Sequence, residues 1–161
     1  MDTETAFAQL AARCTATELC LSDARTRLQR MGLTGQDAAD ILARLTREHY
    51  IDERRYARAF VSDRFRLARW GRVKIHQALL HKGIADAYIA DALQTIDDDD
   101  YCRTLHALLA TKRRTLTART QHELHAKLIR FAVGRGFEPS LVFQMLDTDD
   151  GYTDSSCIFS D

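Results

Sequence analysis

Between Arg54 and Lys82 the chain carries nine basic residues (Arg54, Arg55, Arg58, Arg64, Arg66, Arg69, Arg72, Lys74 and Lys82) against one acid, Asp63. Guanidinium and ammonium groups at this density suit one kind of chemistry. They bind anions, whether protein carboxylates or nucleic-acid phosphates. A second cluster comprises Arg103, Lys112, Arg113, Arg114, Arg119, Lys127, Arg130 and Arg135, with Glu123 as the one acid among them. The chain is neutral as a sum, with 23 basic and 23 acidic residues. All 23 basic residues nevertheless lie between Arg13 and Arg135, where only 15 acids accompany them. That asymmetry points to an anionic partner.

Other chemistry finds little footing. No G-x-x-x-x-G-K-[ST], G-x-G-x-x-G or G-x-S-x-G occurs, so neither a phosphate cradle nor a nucleophile elbow is readable. His122 and His125 can share a helix face, and His106 follows Cys102 by four positions. No fourth-ligand spacing accompanies them, and half-buried or surface histidines are the better account. The run Asp97–Asp100 can hold a hard cation but reads better as a helix cap. No catalytic residue, cofactor or metal is therefore expected. Cys14, Cys20, Cys102 and Cys157 include no C-x-x-C pair. They indicate neither a disulfide framework nor a zinc knuckle, which fits a reducing cytosol. The acidic N-terminus is unlike a signal peptide, and no apolar run reaches the ~18 residues a membrane span needs. The expectation is a soluble cytoplasmic protein with no membrane partner.

Helices must position the basic groups. Asp52 suits a cap, with Ile51 and Tyr56 spaced as a hydrophobic staple. At about 100° per residue, Tyr56, Phe60 and Leu67 share one arc, and Ala57, Val61 and Ala68 a second. Arg55, Arg58, Arg66 and Arg69 cluster on another, with Phe65 at its edge. This helix is predicted over 53–69, and the next over 72–82, ended by Gly83 in the left-handed position.

Three segments share one template: RMGLTGQDAADILARL, HKGIADAYIADALQTI and GRGFEPSLVFQML. Counted from Gly32, Gly83 and Gly136, the residues Leu33, Ile84 and Phe137 correspond. So do Ala38, Ile89 and Val142, then Ile41, Ala92 and Met145, then Leu42, Leu93 and Leu146. The repeat predicts an all-α fold, an elongated array of three tandem three-helix modules. Their bounds are 1–49, 50–97 and 98–146. Remaining helices are expected at 5–14, 22–31, 35–48, 86–96, 101–116, 121–135 and 139–146, with Ser22 and Thr120 as caps. An acidic tail, 147–161, is read either as solvated and inert or as a mask over a basic surface.

IDERRYARAFVSDR, then WGRVKIHQALLHKGI, then a third copy ending in RGF, resemble the RecX family of bacterial recombinase regulators. The likeness runs from Ser22 to about Leu146. It implies a modular all-α protein, not an enzyme, that binds the RecA filament. It would lie in the filament groove and restrain growth, ATP hydrolysis, strand exchange and co-protease activity. It implies roles in DNA repair and control of the SOS response.

The candidate partner-binding residues are Arg54, Arg55, Arg58, Phe65, Arg66, Arg69, Trp70, Arg72, Lys74, Lys82, Lys112, Arg113, Arg114, Lys127, Arg130 and Arg135. Exposed ion pairs contribute only about 0–1 kcal/mol, so stability alone explains so many cations poorly. Trp70 either closes the core or anchors an interface. Phe65 either links modules or touches the partner. A rival function is direct DNA binding, single- or double-stranded, by phosphate contacts or in a helix-turn-helix manner. The helices after the glycines begin TGQDAAD, ADAYIAD and EPSLVFQ, poor in groups that read base edges. The chain is taken as a monomer.

Overall fold

Helix ends follow from local chemistry wherever a short polar side chain can satisfy the unpaired amides of a first turn. The computed structural model describes residues 1–149, and these form nine α-helices with no strand among them. In order they are α1 (Thr3–Ala16), α2 (Leu21–Arg30), α3 (Gly35–Arg47), α4 (Glu53–Arg66), α5 (Arg72–His81), α6 (Asp86–Leu93), α7 (Asp98–Thr115), α8 (Gln121–Gly134) and α9 (Pro139–Asp149). The fold is all-α, as the 3.6-residue periods indicate. Asp52 accepts the Arg55 amide at 3.0 Å at the start of α4. Asp97 accepts that of Asp100 at 2.9 Å, and Thr120 that of Glu123 at 3.1 Å.

Four local expectations are corrected. Leu21 opens α2 behind Cys20, which gives no side-chain cap, so Ser22 is not the cap. Its hydroxyl instead donates to the Lys82 carbonyl at 2.7 Å. α4 stops at Arg66, short of Arg69, because the chain turns through a left-handed Arg69 (φ 56°) and the Trp70 amide closes on the Arg64 carbonyl at 2.9 Å. Leu67, assigned to an apolar arc, is consequently 81% exposed. α9 continues past Leu146 to Asp149, and the rest of the expected tail lies outside the described residues. Cys14 and Cys20 are free.

The chain divides into two compact units. One holds Met1–Phe60 with Ala78–Ala92, and the other Val61–Gln77 with the chain from Leu93 on. The first has a core of Phe7, Leu10, Leu28, Leu33, Ile41, Leu42, Leu45 and Ile51, with Phe7 edge-on to Tyr50 at 5.9 Å. Gly32 (φ 82°) and Gly83 (φ 78°) end α2 and α5, and Leu33 and Ile84 fold back beneath them. Their amides bond to the Leu28 and Leu79 carbonyls at 2.9 and 3.1 Å. This is the left-handed helix stop that the glycines indicated.

The second unit is built around three packed rings. Tyr101 lies between Phe65 (5.9 Å between centroids) and Phe137 (5.1 Å), with Ile75, Leu105, Leu128, Val142 and Leu146 buried in the same unit. Against this core two backbone segments meet directly. The Gly71 amide donates to the Arg135 carbonyl at 2.8 Å and the Val73 amide to that of Gly136 at 2.9 Å. A Cβ on Gly71 would strike the Gly136 and Phe137 backbone, and one on Gly136 (φ 98°) would strike Lys74, both far inside van der Waals contact. All twelve positions aligned in the three-fold template are buried or half-buried.

Gly71→Ala and Gly136→Ala should therefore each destabilise the protein by more than about 2 kcal/mol, because backbone cannot step aside as a side-chain tip does. Gly83→Ala meets open space and should cost only the left-handed backbone penalty, about 1–2 kcal/mol. Urea unfolding of the three variants checks the order.

Candidate anion-binding surface

In the first unit the basic face of α4 is already occupied. Asp91, on α6, receives Arg58 (Nε 2.8 Å, Nη2 3.0 Å) and Arg54 (Nε 3.2 Å, Nη2 3.1 Å). Paired donors from two guanidinium groups are the strongest arrangement a carboxylate finds at a protein surface. Arg58 and then Arg54 accordingly hold the Asp91 carboxyl far below the usual carboxylate range. Arg55 bonds Glu18 at 2.5 Å and the carbonyls of Tyr50 and His49 at 3.2 and 3.3 Å. Lys82 meets Asp23 at 2.8 Å. Each acid comes from a distant element, beyond the reach of a count along one stretch.

The second unit divides its cations three ways. Some build the fold. Arg72 pairs with Asp98 at 2.8 Å and Glu138 at 3.6 Å, and its guanidinium sits 3.9 Å from the Tyr101 ring centre. The Tyr101 hydroxyl accepts the Arg72 amide at 3.0 Å and donates to Glu138. Burial, then Glu138, pushes that phenol well above its ordinary range. Arg135 donates to the carbonyls of Ala68 and Arg69, holding the turn after α4. Lys127 joins Glu123 (3.2 Å) to the Thr117 carbonyl (2.8 Å).

Others lie on aromatic rings. The Lys74 ammonium is 4.4 Å and the Arg64 guanidinium 5.1 Å from the centre of the half-buried Trp70 ring. Lys112 lies 5.2 Å from that of Phe131. Arg113 is half-buried, its Nη2 enclosed without an acceptor. Phe65 is 8% exposed and stacks on Tyr101, so its ring is a core group rather than a surface contact.

Arg66, Arg69, Arg114 and Arg130 form the third set. All are exposed, and their side chains make no hydrogen bond, ion pair or ring contact with any described residue. Reading the sequence missed Asp91, Glu18, Glu138 and Tyr101, which decide which cations stay available. Asp91, eight places after Gly83, and Glu138, two places after Gly136, lay within segments that the repeat singled out. The described residues contain no group of three His, Cys, Asp or Glu placed to hold a metal ion, and no helix is long and apolar enough to cross a membrane.

Together these features define a class: an all-helical protein of short helical hairpins and glycine turns, with some surface cations neutralised and others left free. Residues 52–93, which contain α4 to α6, match the family model for the second three-helix domain of RecX. The chain is 31% identical over 117 residues to a regulatory protein RecX of Chlorobaculum tepidum, covering 73% of this chain and 71% of that one. It is 30% identical over 123 residues to a regulatory protein RecX of Prosthecochloris aestuarii, covering 76% and 79%. A crystal structure of regulatory protein RecX superimposes with a TM-score of 0.81 at 21% identity, over 90% of this chain and 71% of that one. The chain belongs to the RecX family of regulatory proteins.

Two measurements test the sorting of cations. Because the folded Asp91 carboxyl titrates below its unfolded value of ~3.9, its contribution is complete above about pH 5 and fades as pH falls through the unfolded value towards the depressed one. The stability gap between wild type and Asp91→Asn should therefore narrow on acidification and stay flat above about pH 5. Arg135→Ala should cost about 1–3 kcal/mol by stranding helix-end carbonyls, whereas Arg130→Ala should stay within about 0.5 kcal/mol of wild type. Chemical denaturation decides both.

Proposed function

We propose that this protein binds the RecA nucleoprotein filament and restrains its ATP hydrolysis, strand exchange and co-protease activity, acting by contact rather than catalysis. Membership in the RecX family of regulatory proteins supports the reading. The observation that carries it is the set Arg66, Arg69, Arg114 and Arg130, exposed with no described partner while neighbouring arginines are neutralised. Cations without an internal acid can meet a carboxylate or phosphate without first breaking a pair. They also steer encounter with a charged polymer in a salt-dependent way. The proposal takes the chain as a cytoplasmic monomer of three modules, 1–49, 50–97 and 98–146, and assigns partner contact first to these four arginines.

The test is ATP hydrolysis by RecA on single-stranded DNA with this protein added below stoichiometry. Hydrolysis should slow, and slow less as salt rises. Unchanged hydrolysis and unchanged strand exchange would overturn the proposal. Arg66→Glu with Arg69→Glu should weaken the effect about tenfold or more, the scale set by losing contact-centre charges, with only a small fall in melting temperature from the reversed charge at the end of α4. Tight binding to one duplex sequence in the absence of RecA would instead favour direct DNA recognition.

A further inference from the structure

The corner where α4 ends combines features that an anion-binding face alone does not need. Leu67 is 81% exposed, the most exposed large apolar side chain among the described residues. It stands between Arg66 and Arg69, neither of which has a described side-chain partner. Arg69 occupies the left-handed region (φ 56°), where a residue with a Cβ is strained. Arg135 holds that shape through the Ala68 and Arg69 carbonyls. Trp70, the next residue along the chain, is half-buried and carries Lys74 and Arg64 over its ring. Thus a strained turn is held so that one leucine faces solvent among cations.

From this we infer that the corner formed by Arg66, Leu67, Arg69, Trp70 and Lys74 is a docking site for an acidic protein segment bearing a large apolar side chain. Carboxylates of that segment meet Arg66 and Arg69, and its apolar side chain covers Leu67 against the edge of Trp70. Nucleic acid would use the arginines equally well but draws nothing from an exposed leucine. The indole, already engaged by two cations, is poorly placed to stack a base. Apolar anchors ringed by charge are the usual centre of a protein contact, with the charges setting rate and register. The inference deepens the filament reading above and rests on it for the partner's identity, but not for the partner's chemistry.

Trp70 is the only tryptophan in the chain, so its emission reports on the corner directly. The full-length protein is titrated with a tryptophan-free, glutamate-rich peptide carrying leucine at every fourth position. Poly-glutamate and a thymidine oligonucleotide are titrated in parallel. The leucine-bearing peptide should change Trp70 emission and bind about tenfold tighter than poly-glutamate. Leu67→Ser should erase that advantage, a difference on the scale of one anchor residue, while the melting temperature stays the same because the side chain is exposed. Equal binding of the two acidic ligands, insensitivity to Leu67→Ser, or an equal emission change with the oligonucleotide would overturn the inference. The RecA assay is read separately. If wild-type protein leaves hydrolysis untouched, the filament reading falls while the peptide titration still decides the corner.

Discussion

The contact between Gly71 and Gly136 is the constraint on which the second unit depends. A helix end leaves amides or carbonyls without partners, and here three helix ends solve that problem with one another. The free donors at the start of α5 bond the free acceptors at the end of α8. The side chain of Arg135 then serves the carbonyls that follow α4. Backbone hydrogen bonds of 2.8 and 2.9 Å between two chains of main-chain atoms leave no room for a Cβ, which is why both positions are glycine. Phe137, next in line, is thereby driven onto Tyr101 and completes the aromatic stack.

The first unit solves the same problem with different chemistry. Its Lys82–Gly83 turn corresponds in the repeat to Arg135–Gly136, and it too receives a donor from the first turn of another helix. That donor is the hydroxyl of Ser22 rather than a backbone amide. A side chain acts as the spacer, so no glycine is needed opposite, and Gly83 meets open space. Lys82 adds a bond to Asp23 in the same first turn of α2, placing charge where Arg135 in the other unit places hydrogen bonds to carbonyls. One geometry is therefore met by close packing in one unit and by a polar bridge in the other.

Much of the fold was legible because its signals are local. The glycines at 32, 83 and 136, each followed by a large apolar residue, are enough to specify left-handed helix stops, and Asp52, Asp97 and Thr120 are caps by residue type alone. The end of α4 was not legible. Its helical period runs on through Leu67 and Ala68, and what breaks it is Arg135, 66 residues from Arg69. The candidate surface was legible only as composition. Counting one acid between Arg54 and Lys82 says nothing of Asp91 and Glu18, which arrive from outside the stretch and neutralise Arg54, Arg55 and Arg58. Phe65 shows the same limit. Its place at the edge of a basic arc is true of the helix, but Tyr101 decides that it faces the core.

Which cations stay free follows a simple electrostatic logic. Arg66 closes α4 and Arg114 lies in the last turn of α7, where the negative end of the helix dipole favours a positive charge by about 0.3–1 kcal/mol without any carboxylate. Arginine is tolerated there unpaired. Arg54, Arg55 and Arg58 sit instead in the first half of α4, near the positive end of its dipole, where an uncompensated cation is unfavourable. Each has acquired an acid. Along α4 the fold thus sorts its own basic residues: those in its first half are neutralised internally, while Arg66 at its end remains exposed and available. An anionic partner approaching the chain gains most at Arg66, Arg69, Arg114 and Arg130, because there it meets charge that no described residue has already matched.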